Sequence, residues 1–331
     1  MKISLRLIGC AVGLAALALT GALAQQQPAA FSIQFVSQFD YPGTGNQTRP
    51  QKINSTGDIV GVYVDSLGVS RGFTMLSNGH FSPPIVDPND AGNLTEGRGI
   101  NGSRLVCGDY LDSAGADEGF FFSHGTYTNY DIEPTFTIVL GVNNAADFCG
   151  SVIPSSGIQS GFLSIGGTVT EFTVPTAAAT LSYQINATNQ SCGYYNDSAG
   201  ASHGFWRDSD GTLHDPIDPV GSTTTILFGN NDRNLMVGRY VDAGGATHGL
   251  LFVPPSRFVV YDFPGATFTS LNGINSSNQI VGRYTDPSTG IDHGIILQVV
   301  RSAAGITLPL ASPTAPEQVL PQRPVDTAPA Y

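Results

Sequence analysis

The stretch Gly273-Ile274-Asn275-Ser276-Ser277-Asn278-Gln279-Ile280-Val281-Gly282-Arg283-Tyr284-Thr285-Asp286 decides the fold, because five earlier parts of the chain repeat its pattern. Each copy begins at an anchor asparagine, and successive anchors lie 47, 42, 43, 45 and 44 residues apart: Asn54, Asn101, Asn143, Asn186, Asn231 and Asn275. A glycine, which we call the anchor glycine, follows each anchor asparagine by seven residues: Gly61, Gly108, Gly150, Gly193, Gly238 and Gly282. A fixed offset repeated at this period predicts a repeat architecture.

Further landmarks follow each glycine. A tyrosine comes two residues later in five of the six copies, at Tyr63, Tyr110, Tyr195, Tyr240 and Tyr284. An aspartate comes two residues after each tyrosine, at Asp65, Asp112, Asp197, Asp242 and Asp286. A glycine–apolar pair then recurs, starting at Gly72, Gly119, Gly161, Gly204, Gly249 and Gly294. The third copy departs from the pattern with Val152 and Pro154.

The residues between these landmarks alternate with period two, as strands require. Apolar side chains fall on both faces of Asp58–Asp65, which predicts a strand covered on both sides. Four short strands in roughly 44 residues are the pattern of one propeller blade. The anchor asparagines, several of which begin Asn-x-Ser/Thr triplets, are interpreted as turn residues rather than glycosylation sites.

The two ends of the repeat region predict closure. The segment at residues 31–43 matches the fourth strand that ends at Pro264, whereas the last copy stops after its third strand near Val300. We therefore predict an all-β, six-bladed propeller over residues 31–300, with four-stranded blades and the N-terminal strand completing the last blade. A β-solenoid is the alternative, although solenoid coils are usually shorter than this period.

The N-terminus predicts export. Lys2 and Arg6 precede an apolar run, and Ala22-Leu23-Ala24 matches a signal-peptidase site, so residues 1–24 are interpreted as a signal peptide and the protein as secreted or periplasmic. A lipoprotein signal ending at Cys10 is the alternative, but Arg6 leaves no apolar run before it. Residues 301–331, rich in Pro, Ala and Thr, are expected to form a disordered tail.

Charge and composition restrict the classes of partner that the protein could bind. Removing the signal with its two cations takes the net charge from −12 to −14, which disfavours nucleic acid and anionic membranes. No second apolar run approaches the roughly 20 residues that span a bilayer. We expect a monomer with an extracellular carbohydrate or protein ligand. Because no phosphate-binding loop, metal-ligand motif or nucleophile elbow occurs, no cofactor, metal or catalytic residue is assigned.

The runs Gly193–Phe205 and Gly238–Leu250 carry a Tyr-x-Asp motif followed by His-Gly-Phe or His-Gly-Leu. In this spacing the chain resembles the HAF-type extracellular repeats of bacteria over about residues 31–300. The resemblance implies an exported β-rich repeat protein and brings no catalytic motif. The first three copies depart from the pattern, because Arg71, Glu118 and Ser160 replace the histidine.

The last three copies hold the candidate ligand-binding residues. His203, His248 and His293 each follow an aspartate across a short turn, which fits either a metal or proton-transfer site or a turn in which the carboxylate accepts backbone amides and orients the imidazole. Their repetition favours the turn. Tyr195, Tyr240 and Tyr284 would suit a sugar platform or local packing. Arg239 and Arg283 would bind an acidic ligand or pair with nearby carboxylates.

Three cysteines occupy the same position within adjacent copies of the repeat, immediately before the anchor glycine: Cys107, Cys149 and Cys192. We call such an equivalent position a rank. Equivalent points in packed sheets lie about 10 Å apart, which exceeds the reach of a disulfide. The other copies carry valine at this rank, so we predict small buried thiols.

These patterns support two functional hypotheses. The first is an exported, non-enzymatic binding propeller whose ligand sits at the channel mouth, on the face of the Asp-containing turns. The second is a carbohydrate hydrolase or lyase that uses the channel. An enzyme would need unrepeated polar residues converging at the axis, and in the repeated landmarks only the third copy diverges, by losing polar groups.

Overall fold

The computed structural model describes residues 31–301, except 44, 46, 134 and 135. The predicted signal at residues 1–24 lies outside the described residues, as does the predicted tail apart from Arg301, the last residue of the final strand. Within the described part of the chain, no helix is long and apolar enough to span a membrane.

The described residues form 23 strands in six sheets. The N-terminal strand is β1 (Phe31–Phe39). Blade 1 contains β2 (Gln47–Ile53), β3 (Ile59–Val64) and β4 (Ser70–Met75). Blade 2 contains β5 (Thr95–Ile100), β6 (Val106–Leu111), β7 (Asp117–Ser123) and β8 (Thr126–Tyr130). Blade 3 contains β9 (Thr137–Val142), β10 (Phe148–Val152), β11 (Ser160–Ile165) and β12 (Thr168–Phe172).

The remaining blades follow the same order. Blade 4 contains β13 (Ala179–Ile185), β14 (Ser191–Asn196), β15 (Ser202–Arg207) and β16 (Leu213–Ile217). Blade 5 contains β17 (Ser222–Asn230), β18 (Met236–Asp242), β19 (Thr247–Val253) and β20 (Arg257–Tyr261). Blade 6 contains β21 (Thr269–Ile274), β22 (Gln279–Thr285) and β23 (Asp292–Arg301), and β1 is its outermost strand.

The prediction of a six-bladed propeller is confirmed, and so is closure by the N-terminal strand. Strand β1 pairs antiparallel with β23, with Phe31 opposite Arg301 and Phe39 opposite Gly294. The first strands of all six blades contact one another around a central axis, and β21 of blade 6 contacts β2 of blade 1. The ring is therefore closed, which excludes the solenoid.

Blade 1 differs from the four-stranded pattern. Its outer edge is reduced to two isolated bridges, which join Gly72 to Ile85 and Met75 to Phe81. Pro83 and Pro84 lie between these bridges and have no N–H to donate to a β-ladder. The fourth strand therefore cannot form continuously here.

The anchor glycines are explained by a bulge in every inner strand. Each inner strand shifts register next to the residue that pairs with this glycine, at Gln51, Arg98, Leu140, Tyr183, Phe228 and Asn272, and β17 shifts a second time at Thr223. The anchor glycine lies opposite the residue before the bulge, as Gly150 lies opposite Val139. A Cβ on Gly150 would overlap with the carbonyl oxygen of Ile138, so only glycine fits this close approach.

The core lies between neighbouring blades. The apolar residue of each repeated glycine–apolar pair is fully buried there: Phe73, Phe120, Phe162, Phe205, Leu250 and Ile295. The three cysteines are free and buried, as predicted. Gly99 and Gly141 on the adjacent inner strands leave room for the thiols of Cys107 and Cys149. Burial raises the pKa of the Cys149 thiol to about 12, so the thiol is un-ionised at neutral pH.

Candidate functional site

The anchor asparagines shape the turns between the first and second strands of every blade. In Asn275, Oδ1 accepts the backbone N–H groups of Ser277 and Gln279, both at 3.0 Å. The third residue after each anchor has a left-handed backbone, as in Asn278 with a φ of 61°. A short polar side chain that hydrogen-bonds its own turn favours this geometry. The interpretation of the anchors as turn residues is confirmed.

The same asparagines also join the blades into one hydrogen-bonded ring. The Nδ2 group of each anchor donates to the backbone carbonyl of the next anchor at 2.9–3.3 Å, and Asn275 closes the circle onto Asn54. All six side chains are 2–6% exposed. We call this feature the asparagine ring. It fixes the six turns around the axis at one end of the channel.

A cavity of about 70 Å³ opens at this end, which we call the asparagine mouth. It is lined by the asparagine ring, by the residue on each side of every anchor and by Gln184. Two of the lining residues depart from what most other blades carry at the same position before the anchor. Asn230 stands where the other blades carry isoleucine or valine, and Gln184 stands where four blades carry glycine.

Both unrepeated residues present acceptors. Among the described residues, Oδ1 of Asn230 and Oε1 of Gln184 are buried without a hydrogen-bond partner. The Nδ2 group of Asn230 donates to the carbonyl of Gln190 at 3.0 Å, which holds the side chain in place. A buried acceptor without a donor costs free energy. A ligand that supplies hydroxyl or amino donors would remove that cost.

In blade 1, Lys52 occupies the rank that Gln184 occupies in blade 4. Its side chain extends into the channel, toward the opposite blade. Its Nζ lies 3.5 Å from the carbonyl oxygen of Asn272 and 5.7 Å from the centroid of the Tyr183 ring in the opposite blade. No ion pair of the described residues involves Lys52, which is 4% exposed. Burial lowers its pKa to about 8.

Three arginines lie toward the opposite end of the axis, and we call them the axial arginine cluster: Arg49, Arg239 and Arg283. Oδ2 of Asp292 accepts from Arg49 Nε at 2.7 Å and from Arg283 Nη1 at 2.9 Å. Within the described part of the chain Arg239 makes no ion pair. Burial lowers the pKa of Arg283 to about 10 and also lowers that of Arg239.

Aromatic rings flank this cluster. The guanidinium of Arg239 lies 5.4 Å from the ring centroid of Phe228 and 5.5 Å from that of Phe268. The guanidinium of Arg283 lies 5.0 Å from the same Phe268 ring. All three distances are within the range of cation–π contacts. Of the two predicted roles, Arg283 shows carboxylate pairing, whereas Arg239 does not.

The three candidate histidines lie on the face opposite the asparagine mouth, which we call the aspartate face. Nδ1 of His203 donates to Asp218 at 2.6 Å, and Nε2 lies 3.5 Å from Asp197. His248 is held in the same way between Asp262 at 3.0 Å and Asp242 at 3.3 Å. These Asp–His–Asp clusters join the turn after the second strand to the end of the fourth strand.

Blade 6 builds its cluster across the closure. Nδ1 of His293 donates to Oδ1 of Asp40 at 2.7 Å, so the contact joins β23 to the residue that follows β1. Burial alone would lower the pKa values of His203 and His248, but their carboxylate partners more than offset it and raise both. In His293 the hydrogen bond to Asp40 is the largest influence, and the pKa is again raised.

The turn aspartates behave as predicted for a turn. Oδ1 of Asp197 accepts the backbone N–H groups of Ala199 at 2.8 Å and Ala201 at 2.9 Å, and the other oxygen faces His203. Among the described residues, no group of three or more His, Cys, Asp or Glu side chains is arranged to hold a metal ion.

The candidate tyrosines stack against the histidines. The ring centroids are 5.2 Å apart for Tyr195 and His203, 4.8 Å for Tyr240 and His248, and 5.2 Å for Tyr284 and His293. The opposite side of Tyr284 is covered by Phe263 at 3.6 Å. Tyr195 and Tyr284 are each 9% exposed. The structure thus brings each tyrosine and histidine together but places them far from the asparagine ring.

Several residues of the site do not belong to the repeated landmarks. Lys52, Gln184 and Asn230 lie between the landmarks, and Asp40, Asp218 and Asp262 lie at the ends of fourth strands. Comparing the six copies rank by rank, rather than by their shared residues, would have shown the first three. A cavity opens at the asparagine mouth, whereas the sequence led us to expect a ligand on the aspartate face.

No protein-family model matches the chain, and no curated protein matches it. Solved structures similar to it include the BP39L lectin from Burkholderia pseudomallei, with 14% identity, a TM-score of 0.45 and coverage of 77% of this chain and 81% of that one. The Aleuria aurantia lectin, described as a six-bladed β-propeller with a novel fucose recognition mode, has 8% identity, a TM-score of 0.48 and coverage of 79% and 97%. TolB from Acinetobacter baumannii has 9% identity, a TM-score of 0.44 and coverage of 79% and 68%. These likenesses are of architecture, and at such identity no ligand or activity carries over to this chain.

Proposed function

We propose that this protein is an exported, non-enzymatic binding propeller of the HAF repeat type, and that the asparagine mouth holds a small hydroxyl-bearing ligand such as a carbohydrate. The observation that carries the proposal is the pair of unrepeated acceptors, Gln184 Oε1 and Asn230 Oδ1, beside a cavity at the end of the axis. Sugar hydroxyls are donors of the kind that these acceptors lack.

The composition of the cavity lining supports binding over acid–base chemistry. Apart from apolar and backbone groups, the lining offers amide and hydroxyl side chains and the carboxylate of Asp232. Proton transfer needs a positioned group that titrates near the working pH. Fixed amides instead supply directional hydrogen bonds at little entropic cost, because the asparagine ring already holds the turns in place.

A glycan array probed with the mature protein tests this proposal, followed by titration calorimetry with any positive glycan. Asn230→Ile installs the residue that other blades carry at this rank, so the fold should tolerate it while the affinity falls at least tenfold. Thr170→Val, on the exposed outer strand of blade 3, is the matched control and should bind like the wild type. Binding that survives both Asn230→Ile and Gln184→Met would contradict the assignment of the asparagine mouth.

Export has its own test. The predicted signal with its Ala22-Leu23-Ala24 site supports secretion to the periplasm or beyond. N-terminal sequencing of the protein from its native host should begin at Gln25. An intact Met1, or a lipid-modified Cys10, would contradict cleavage after Ala24.

A hydrolase or lyase acting on a carbohydrate is the second candidate, and one observation favours it. Unrepeated charged groups do converge on the axis, among them Lys52 and the ion pair of Arg98 with Asp109 at 2.7 Å. A lysine with a pKa near 8 is suited to proton transfer. Release of new reducing ends or unsaturated sugars from a bound glycan, lost in Lys52→Met, would favour the enzyme.

A further inference from the structure

Nearly half of the positively charged side chains in residues 31–301 lie along the axis of this acidic protein. Residues 31–301 include eleven lysines and arginines, in a chain with a net charge of −12. Five of the eleven lie on first or second strands along the channel: Arg49, Lys52, Arg98, Arg239 and Arg283. Arg98 is neutralised locally, because it pairs with both Glu96 and Asp109. The other four cations along the channel have fewer carboxylate partners.

The axial arginine cluster is short of carboxylates. Arg49 and Arg283 both pair with Asp292, while Arg239 contacts the rings of Phe228 and Phe268 and makes no ion pair among the described residues. In addition, Nε of Arg283 is buried without a hydrogen-bond partner within the described part of the chain. Partly burying several cations that share one carboxylate costs free energy, because burial removes the water that would otherwise stabilise them.

We propose that the axial arginine cluster binds a carboxylate-bearing small molecule at the aspartate-face end of the channel, in a site separate from the asparagine mouth. One added carboxylate would supply Arg239 with a counter-ion and accept from Nε of Arg283. A planar guanidinium matches a planar carboxylate through two parallel hydrogen bonds. The Phe268 ring, in contact with both guanidiniums, gives this site an apolar wall.

Solvent reaches the axial arginine cluster at Arg49. The side chain of Arg49 is 38% exposed, whereas that of Arg283 is 19% exposed. Arg49 also lies near the start of β2, five residues before Asn54, so at about 3.3 Å per residue the two ends of the channel are roughly 16 Å apart. Ligands at the two sites would therefore not compete for the same space.

Acetate is the simplest probe. Binding of ¹³C-acetate to the mature protein, followed by NMR at constant ionic strength with chloride as balance, should be saturable. Arg239→Gln should weaken it at least tenfold. Arg233→Gln removes the same charge from an exposed turn near the asparagine mouth and should leave it unchanged. Arg239→Lys keeps the charge but loses the planar fork, so it should fall between the wild type and Arg239→Gln.

Thermal unfolding without acetate is the control that shows whether each variant is folded. Arg239→Gln should unfold at or above the wild-type temperature, because it removes a cation without a counter-ion. Unchanged acetate binding in Arg239→Gln, or no saturable binding to the wild type, would overturn the proposal. Sulfate binding as tightly as acetate would overturn the carboxylate assignment. Asn230→Ile should leave acetate binding intact, which separates this site from the glycan site proposed above.

Discussion

At the scale of the residue, the anchor asparagine has two roles at once. Its Oδ1 caps its own turn, and its Nδ2 reaches the next blade, so a single side chain links local turn geometry to closure of the whole ring. An aspartate could provide the first contact but has no N–H for the second. This explains why asparagine, and not aspartate, recurs in all six copies.

Replacing one anchor should therefore cost more than a turn residue normally does. In Asn275→Ala, two backbone N–H groups and the carbonyl of Asn54 lose buried partners, which predicts a loss of about 2–3 kcal/mol in the free energy of unfolding. Urea denaturation measures this loss. The control is Asn78→Ala, where the exposed side chain caps only His80 in an outer turn, and about 0.5 kcal/mol or less is expected. Equal losses in the two variants would contradict an energetic role for the ring.

At the scale of the element, the Asp–His–Asp clusters act as fasteners between strands. His203 and His248 lie on the third strands of their blades, each with one carboxylate from the preceding turn and another from the residue that follows the outermost strand. Blade 1 replaces the arrangement with an ion pair between Arg71 and Asp65 at 2.7 Å. Residues at the same rank thus connect the turn to the third strand through different charge pairs in different blades. This supports the interpretation of the histidines as turn residues.

These clusters predict a pH dependence with a definite sign. The folded-state pKa values of His203, His248 and His293 are raised, so their stabilisation is fully present below the unfolded value of about 6.5 and is lost as pH rises through the folded values. Each cluster is partly exposed, so about 0.5 kcal/mol apiece is expected. The free energy of unfolding measured by urea should fall between pH 6 and 8.5 in the wild type. The triple His→Gln variant should lose most of that slope, and an unchanged slope would rule out the clusters as its source.

The elements also show how far the sequence could predict this structure. The blade count and closure followed from landmarks such as the anchor glycine, whose place opposite a bulge allows no Cβ and leaves a strict signal. Asp40 could not be paired with His293, because 253 residues separate them and only the closed ring brings them together. The cavity at the asparagine mouth could not be predicted, since its width depends on side chains such as Gln184 that vary from blade to blade.

At the scale of the whole molecule, the closure of blade 6 is the longest-range feature of the fold. Strand β1 begins the described chain and pairs with β23, which ends it. In the complete four-stranded blades 2–5 the third and fourth strands form a hairpin, so blade 6 alone among the described blades brings in its outer strand from a distant part of the chain. Pairing distant segments slows folding, because loop-closure entropy is lost before the contacts form.

A circular permutant converts this closure into a local hairpin. Phe31 lies opposite Arg301, so an Asn-Gly linker from Arg301 to Phe31 should form a tight turn, with new termini at Gln47 and Tyr41. The stacked rings of Tyr41 and Tyr63, 3.7 Å apart, should keep the new C-terminus docked on blade 1. We expect a monomer with the same β-rich circular dichroism and faster refolding by stopped-flow fluorescence, because the pairing of β1 with β23 becomes local. The same permutant ending at Arg301, without β1, should aggregate or dimerise through the exposed edge of β23 in size-exclusion chromatography. If the shortened chain were as stable and monomeric as the permutant, β1 would be an accessory strand, and the propeller would be held closed by its inner strands and asparagine ring alone.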